Sequence, residues 1–252
     1  MSVKGKVFVI TGAARGLGQE YCKVLAEHGA AVVAADINDC SETQRIVSEA
    51  GGRSITVPLN VAIAAEANAA VAAAEAAYGR IDGLVNNAAL YGALRGGRFD
   101  SIPEADWDQA MAVNVRGIWN CCKAVVPVMR RTGGGSIVNI ASLAATYGLP
   151  YALHYTTSKA AVIGLTRGLA RELGREGIRV NSISPSAVLT EGTREFFGDR
   201  AEKALATVAA GQAIARNLNS ADVAGTVLWL LSDGSQFTTG QNIAVDGGTV
   251  MN

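Results

Sequence analysis

Short apolar runs alternate with longer segments of helical spacing along most of the chain. In the runs at residues 6–10 and 31–35, nearly every position is apolar. This pattern is typical of strands that are buried on both faces, as they are in parallel sheets. It predicts further strands at residues 54–58, 81–86, 136–141, 178–183 and 242–245.

Between these runs, the apolar spacing predicts helices. Leu17, Tyr21 and Leu25 share one face of the first helix. Further helices are predicted at residues 63–77, at 104–131 with a break near Asn114, from the segment 151–159 to Gly174, and at 221–231. The order predicts one α/β domain over residues 1–252: a Rossmann-like, doubly wound parallel sheet of about seven strands with helices on both faces. A ligand crevice is expected at the carboxyl ends of the strands.

The composition of the chain limits the classes of binding partner and the cellular location that we expect. The 252 residues carry 22 Lys plus Arg and 22 Asp plus Glu, so the formal net charge is zero. Such a balance does not favour nucleic acid or an anionic membrane as a partner. The N-terminal segment lacks the apolar core of a signal peptide, which predicts a cytoplasmic protein. The four cysteines have no Cys-x-x-Cys spacing, so we expect reduced, buried thiols and no metal site.

A glycine-rich turn follows the first strand, where residues 11–18 read TGAARGLG. Glycines let a backbone approach a pyrophosphate closely, and the free N–H groups of the next helix favour negative charge. Glycines that serve only packing would look the same, so the turn alone does not decide. The predicted dinucleotide contacts in this turn are Gly12, Arg15, Gly16, Leu17 and Gly18.

Asp36 ends the second strand, 20 residues after Gly16. A carboxylate at this distance can accept hydrogen bonds from an adenosine ribose, and it repels a 2′-phosphate. Arg15 favours NADP instead, because a guanidinium pairs well with phosphate. No Lys or Arg follows Asp36 within residues 37–39, so NAD is predicted as the cofactor and NADP is disfavoured, with Ile37 beside the ribose.

Several motifs in order along the chain resemble the short-chain dehydrogenase/reductase family. They are the turn at 11–18, Asn86-Asn87-Ala88-Ala89, Asn114, Ser142 and Tyr155-x-x-x-Lys159. The resemblance runs from Gly5 to Gly248. It implies the Rossmann-like fold, a nicotinamide cofactor and a homotetramer built on long helices and the C-terminal strand.

The resemblance also implies cofactor contacts outside the turn. Ala89 replaces a family glycine, so we expect no positive φ there. Asn60 stands where the family carries Asp, and Thr190 matches the residue that holds the nicotinamide carboxamide. The full additional set is Asn60, Val61, Asn87, Ala88, Ala89, Tyr155, Lys159, Pro185, Val188 and Thr190.

The segment YALHYTTSK at 151–159 contains two tyrosines and a lysine with helical spacing that would place all three on one face. Hydride transfer at an alcohol carbon needs a group that takes and returns the hydroxyl proton. Tyr155 lies one turn from Lys159, whose ammonium should lower the phenol's pKa together with the positive nicotinamide ring. The family assigns Ser142 to the substrate oxygen and Asn114 to a water-mediated relay. Taken singly, such a serine could be a cap and such an asparagine a solvated residue.

Substrate specificity is expected from loops beyond the strand ends, including a lid at about residues 186–218 with one or two short helices. The predicted pocket residues are mostly apolar: Tyr91, Leu143, Ala144, Leu149, Tyr151, Phe196 and Phe197. This favours an apolar secondary alcohol or its ketone, cyclic or aryl-substituted, over a sugar. His154 is expected to line the substrate region or an interface.

Three functions stay open at this point. Features such as His154 and the C-terminal VDGG resemble family members that oxidise aryl or alicyclic alcohols with NAD. A 3-oxoacyl-[acyl-carrier-protein] reductase using NADPH is the first alternative, supported weakly by Arg130 and Arg131 as a carrier-facing pair. A regulator that senses NAD without turnover is the second, although it would not need the set of Tyr155, Lys159, Ser142 and Asn114.

Overall fold

Seven parallel strands form one sheet in the order β3-β2-β1-β4-β5-β6-β7, in a computed structural model that describes residues 2–251. The predicted parallel α/β fold is therefore confirmed. The strands are β1 Val7–Thr11, β2 Ala31–Asp36, β3 Arg53–Pro58, β4 Gly83–Asn86, β5 Gly135–Ile140, β6 Ile178–Pro185 and β7 Asn242–Val245.

Both faces of the sheet are covered by helices, which explains why the strands are apolar at successive positions. In β1, Val7 and Val9 pack into one core while Phe8 and Ile10 pack into the other. The first core is completed by α3 Ala64–Tyr78, α5 Gly117–Arg131 and α7 Leu153–Leu173; the second by α1 Gly16–Glu27, α2 Ser41–Glu49 and α10 Ser220–Leu231.

The helix predicted at 104–131 is not one regular α-helix. It consists of α4 Glu104–Met111, a π-helical turn Ala112–Arg116, and α5. Asn114 lies in the π turn, so the break predicted near this residue is present as one wide turn in a continuous helical path.

The prediction that Tyr151 shares a helical face with Tyr155 and Lys159 is wrong. The helix α7 begins at Leu153, and Tyr151 precedes it with a left-handed φ of 61°. It is the one non-glycine residue with positive φ among the described residues. Since Ala89 is therefore not in that region, the expectation for its backbone holds.

The lid segment contains two short helices, α8 Glu191–Phe197 and α9 Ala201–Ala210, as the sequence predicted. Helix α6, Ala144–Tyr147, lies between β5 and α7. All four cysteines are buried and free. Within residues 2–251, no helix is long and apolar enough to span a membrane, and no cluster of potential metal ligands occurs. The predicted 1–252 domain includes Met1 and Asn252, which lie outside the described residues.

The strand order reverses beside β1, which pairs with β2 on one side and with β4 on the other. Connections from these strands leave in opposite directions, so a crevice opens at their carboxyl ends. The glycine-rich turn at residues 11–18, called the phosphate turn below, follows β1. Asp36 ends β2, and Asn87 follows β4. The topology thus brings three of the predicted contacts to one place.

Candidate active site

A cavity of about 700 Å³ opens at the carboxyl ends of the strands. Most of the predicted site residues line it. Four do not: Gly18, Asn114, Tyr151 and Phe196. The first two lie directly behind lining residues, Phe196 packs on a lining tyrosine, and Tyr151 is exposed outside the cavity, as described below.

The phosphate turn is held by contacts that leave no room for larger residues. A Cβ on Gly12 would lie 2.8 Å from the Cα of Ala88, and a Cβ on Gly18 would lie 2.1 Å from the carbonyl oxygen of Gly12. Gly12 and Gly16 also have φ values of +66° and +59°. Gly12 is therefore required by both space and backbone conformation, Gly18 by space and Gly16 by backbone conformation.

Asn87 anchors this turn to the sheet. Its Nδ2 donates to the carbonyl oxygens of Thr11 at 3.0 Å and Gly12 at 2.9 Å. The Thr11 hydroxyl in turn accepts from the backbone N–H groups of Asn87 and Ala88, both at 3.1 Å. Sequence reasoning missed Thr11; its position as the last residue of a buried strand before the glycine turn was the available signal.

Asp36 is oriented by three hydrogen bonds at the rim of the cavity. Its Oδ2 accepts from the backbone N–H of Ala14 at 3.0 Å, and its Oδ1 accepts from the backbone and side chain of Asn38 at 2.9 and 3.2 Å. The next residue, Ile37, is 70 % exposed and lines the same part of the cavity. A fixed carboxylate beside the phosphate turn suits recognition of a ribose diol.

Asn60 and Val61 border the cavity after β3. The Oδ1 of Asn60 accepts from the backbone N–H of Ala62 at 3.0 Å, which shapes the turn. Gly117 leaves space for Val61, because a Cβ there would lie 2.6 Å from the Val61 Cγ2. The Nδ2 of Asn120 donates to the Val61 carbonyl at 2.9 Å, so this wall is fixed from helix α5.

Tyr155, Ser142 and Lys159 meet deep in the cavity. Ser142 lies beside the Tyr155 phenol, where it acts to lower the pKa of that group. Lys159 is buried, donates to the carbonyl oxygen of Ile140 at 2.7 Å, and has its Nζ 5.8 Å from the centroid of the Tyr155 ring. Because burial disfavours the ammonium, the pKa of Lys159 falls to about 8.

The protein's own groups raise the pKa of Tyr155. Burial raises this pKa well above its usual value, Tyr91 and Tyr147 add to the shift, and Ser142 opposes it. Desolvation of the phenolate is the largest cause. The expectation that Lys159 and a nicotinamide ring together lower this pKa stays a prediction.

Asn114 acts as a structural clamp behind the site. It is fully buried, its Oδ1 accepts from the backbone N–H of Leu90 at 2.7 Å, and its Nδ2 donates to the Ser158 hydroxyl at 3.0 Å. The side chain thus ties the loop after β4 to the helix that carries Tyr155 and Lys159. Its predicted role in a water relay stays a prediction.

Aromatic rings line the part of the cavity that is predicted to bind the substrate, called the substrate end below. Tyr91 stacks on Phe196 with centroids 4.6 Å apart and lies 5.1 Å from the Tyr155 ring. Phe196 lies 6.3 Å from the Tyr155 ring, so the lid helix α8 reaches over the tyrosine. Burial raises the pKa of Tyr91 to about 12. The remaining apolar lining here includes Leu143, Ala144, Tyr147, Leu149 and Phe197.

Tyr151 does not line the cavity, contrary to the sequence prediction, and is 68 % exposed. Its backbone has a left-handed φ of 61°, and it lies before the start of α7. Polar lining residues were missed instead, namely Gln109, Thr193, Thr207 and Thr249. They come from segments far apart in sequence, and no motif indicated them.

The lid is joined to the rest of the cavity by polar contacts. Thr190 caps helix α8 by accepting from the backbone N–H of Thr193 at 3.3 Å, and Val188 forms a bridge with Leu218. Arg15, on the phosphate turn, makes ion pairs with Glu191 and Glu195 of α8. The proposed contact of Thr190 with a nicotinamide stays a prediction.

His154 is fully buried, although it follows the exposed start of α7, and it does not line the cavity. Burial lowers its pKa, while Asp106 and the backbone of Ala152 oppose the shift. The expectation that it lines the substrate region or an interface is therefore wrong, because the side chain is fully buried within the chain and lies outside the cavity lining.

Comparisons with known proteins agree with this geometry. A sequence model of the family described as enoyl-(acyl carrier protein) reductase matches residues 12–250. The chain is 39 % identical over 254 residues to 3-oxoacyl-[acyl-carrier-protein] reductase FabG of Thermotoga maritima, covering 100 % of both chains.

Two solved structures are similar along almost the whole chain. Levodione reductase superimposes with a TM-score of 0.92 at 30 % identity, covering 97 % of each chain. Carveol dehydrogenase from Mycobacterium avium, solved in complex with NAD, gives a TM-score of 0.92 at 31 % identity, covering 98 % of each chain. The chain therefore belongs to the short-chain dehydrogenase/reductase family, which binds NAD(P), and is an oxidoreductase that acts on CH–OH groups.

Proposed function

We propose that the protein interconverts an apolar secondary alcohol, cyclic or aryl-substituted, and its ketone, using NAD. The observation that carries the proposal is the juxtaposition of Asp36 at one end of the cavity with the Tyr91–Phe196–Tyr155 ring cluster at the other. The first favours an unphosphorylated ribose, and the second favours a flat, apolar substrate.

The residues fit a dinucleotide. The backbone of Gly12 and Gly18 lies where a Cβ would collide, the N-terminus of α1 opens onto the cavity, and Asp36 offers a fixed acceptor. When bound, NAD supplies the hydride acceptor or donor. Tyr155 and Lys159 lie at the far end of the same cavity from Asp36.

Proton transfer is assigned to Tyr155. Its raised pKa keeps the phenol neutral at pH 7, in the form that donates a proton to a carbonyl oxygen. In the other direction, the phenolate that takes the alcohol proton needs positive charge nearby, and Lys159, with a pKa of about 8, is mostly protonated at pH 7. Ser142 positions the substrate oxygen beside the phenol.

The substrate class follows from the lining. Leu143, Leu149 and Phe197 supply apolar surface, and a few hydroxyl and amide groups such as Thr207 and Gln109 supply orientation. The names of the similar structures, levodione reductase and carveol dehydrogenase, belong to those proteins but support a cyclic substrate here.

A second candidate is reduction of a 3-oxoacyl group on a carrier protein with NADPH. The similarity to a 3-oxoacyl-[acyl-carrier-protein] reductase favours it. Arg130 and Arg131 do not, because they form ion pairs with Glu176 and Glu75 and lie at the end of α5 just before β5 begins. That edge of the sheet is opposite the cavity, which lies at the carboxyl ends.

Absorbance at 340 nm with NAD or NADP tests the proposal. The panel should contain cyclic and aryl secondary alcohols, their ketones with the reduced cofactors, and a 3-oxoacyl thioester. We expect turnover with NAD and a cyclic or aryl alcohol. Preference for the thioester with NADPH would select the second candidate, and NAD binding without turnover of any substrate would select the regulator.

Asp36→Ala is the matched test of cofactor choice. Removing the carboxylate should raise the relative efficiency of NADP, because the repulsion of a 2′-phosphate disappears. An unchanged ratio of NADP to NAD efficiency would contradict the role of Asp36.

We also propose a homotetramer. Trp119 on α5 and Leu153 at the start of α7 are large apolar residues exposed by 50 % and 42 %, which supports association through these helices. Light scattering on the purified protein tests it, and a monomeric mass would contradict it.

A further inference from the structure

Arg15 on the phosphate turn is held by two carboxylates of the lid. Its Nη1 and Nη2 lie 2.6 and 2.9 Å from the two carboxylate oxygens of Glu195, a bidentate arrangement. Its Nη1 also lies 3.0 Å from Glu191 Oε2. The guanidinium of Arg15, on the phosphate turn, therefore pairs with two carboxylates of helix α8 in the lid.

Glu195 is placed for this contact by its surroundings. It packs against Gly92 of the loop after β4, where an added Cβ would lie 2.3 Å from Glu195 Oε2 and 3.1 Å from the Glu195 Cβ. The neighbouring Phe196 stacks on Tyr91 at 4.6 Å, which fixes the same turn of helix α8 over the site. The hydrogen bond from Arg15 also lowers the pKa of Glu195, which keeps it ionised at neutral pH.

The charge balance at the ribose end is negative once these contacts are made. Asp36 accepts a hydrogen bond from the backbone of Ala14, the residue before Arg15, so both charges border the same turn. Among the described residues that line the cavity, the cations are Arg15 and Lys159, and Lys159 donates a hydrogen bond to the carbonyl oxygen of Ile140. A 2′-phosphate would therefore face Asp36 and a guanidinium already paired with Glu191 and Glu195.

We propose that Glu191 and Glu195 are specificity-determining residues: by occupying Arg15 they disfavour a 2′-phosphorylated cofactor, which gains Arg15 only by releasing helix α8. The inference rests on the proposed use of a nicotinamide dinucleotide at this site. It resolves the conflict between Arg15 and Asp36 in the sequence, since the arginine that suits a phosphate is held by the lid. Cofactor choice and lid closure are thereby linked through one side chain.

The expected effect is moderate, because the three side chains are partly exposed and their ion pairs are screened by solvent. When the two carboxylates are removed, Arg15 should form a charge-assisted hydrogen bond with the 2′-phosphate. The affinity for the phosphorylated cofactor should then rise by a few-fold to about tenfold. Such a change is measurable as a ratio of two dissociation constants.

The test is calorimetric titration of the full chain with NAD⁺ and NADP⁺, which differ only in the 2′-phosphate. In Glu191→Gln/Glu195→Gln, the affinity for NADP⁺ relative to NAD⁺ should rise about three- to tenfold. Glu202→Gln is the matched control, because it removes a lid carboxylate that pairs with Arg194 and not with Arg15. The control should leave the ratio within twofold.

Adding Arg15→Gln to the double variant should abolish the gain. An unchanged ratio in the double variant, an equal rise in Glu202→Gln, or a gain that survives Arg15→Gln would each overturn the inference while NAD⁺ still binds. If neither dinucleotide binds the unaltered protein, the proposed function fails as well, so the two failures are distinct.

Hydrogen exchange provides a second measurement. With saturating NADP⁺, the backbone amides of residues 191–197 should exchange faster than with saturating NAD⁺, because the 2′-phosphate competes for Arg15. Equal protection by the two cofactors would contradict the release of α8.

Discussion

The two ends of the cavity are built differently. The phosphate turn is fixed by Gly12 and Gly18, which leave no space for a Cβ, and by partly buried hydrogen bonds that Asn87 donates to Thr11. The substrate end is formed by ring contacts of Tyr91 and Phe196 and by ion pairs that are half exposed. The first is specified by the backbone, and the second by side chains of a lid.

This difference has a practical consequence. Substitutions of Gly12 or Gly18 in the turn should affect folding and every dinucleotide alike, because the backbone itself would have to move. Substitutions in the lid should change which molecule is preferred, because ring and ion-pair contacts can be replaced singly. Tyr155 and Lys159, the residues proposed for proton transfer, belong to the substrate end, where the Tyr155 ring packs on Tyr91.

The largest effect is expected when the phenol proposed for proton transfer is removed from the substrate end. Tyr155→Phe removes the phenolic oxygen and keeps the ring that packs on Tyr91, so NAD binding should persist while turnover falls by about 10²- to 10⁴-fold. Single-turnover kinetics at 340 nm and calorimetric titration with NAD⁺ measure the two properties separately. Near-normal turnover would remove Tyr155 from the mechanism.

The next effect tests the backbone end. Gly18→Ala places a Cβ 2.1 Å from the Gly12 carbonyl oxygen, so the turn must shift, with a loss of stability on the order of 1–3 kcal/mol and at least tenfold weaker NAD binding. Thermal unfolding and NAD⁺ titration provide the measurements. Gly225→Ala in α10, where no atom lies within 4 Å of the new Cβ, is the control and should be neutral or slightly stabilising. Equal behaviour of the two variants would show that the turn is not spatially constrained.

Lys159 allows a test by pH. Its folded pKa of about 8 lies below its ordinary value of 10.5, so the buried ammonium destabilises the folded protein by at most about 3 kcal/mol below pH 8. Between pH 8 and 10.5 the unfolded chain binds the proton that the folded chain has lost, and this penalty disappears as the pH rises.

The difference in Tm between Lys159→Met and the unaltered protein should therefore shift in favour of the unaltered protein from pH 7 to pH 10. Differential scanning calorimetry at both pH values measures it without cofactor. Lys23→Met, at a partly exposed lysine in α1, is the control. A pH-independent difference for Lys159→Met would contradict the lowered pKa.

The smallest effect tests the lid end. Phe196→Ala removes the stacking on Tyr91, worth about 0.5–1.5 kcal/mol, so kcat/KM for an apolar alcohol should fall about two- to tenfold. The KM for NAD should stay within twofold. Tyr151→Ala is the control, since that exposed side chain lies outside the cavity, and it should leave both values unchanged. A larger loss from Tyr151→Ala than from Phe196→Ala would reverse the assignment of the wall.

The sequence predicted the backbone end better than the lid end, for a physical reason. Glycine spacing, strand ends and Asp36 are local signals that report where the chain must turn. The ring cluster and the pairing of Arg15 with Glu195 join residues about 40 to 180 positions apart. No periodicity encodes such contacts.

The error at Tyr151 has the same origin. The four-residue spacing of Tyr151, Tyr155 and Lys159 predicted one helical face, but Gly148, with a φ of +76°, and Pro150 precede Tyr151, and the helix begins only at Leu153. The sequence argument about the pKa of Tyr155 considered Lys159 and the nicotinamide. It did not include the desolvation caused by burial of the phenol.

The π-helical turn at Ala112–Arg116 has a consequence for comparing and editing chains of this kind. One residue beyond regular α-helical spacing rotates everything that follows by about 100°. Deleting a single residue from the turn would restore an unbroken α-helix. It would also break the hydrogen bonds of Asn114 with Leu90 and Ser158. The same deletion in an ordinary loop would shorten the loop and leave the flanking elements in place. An alignment that pairs α4 and α5 as one uniform helix would misplace the clamp by one position.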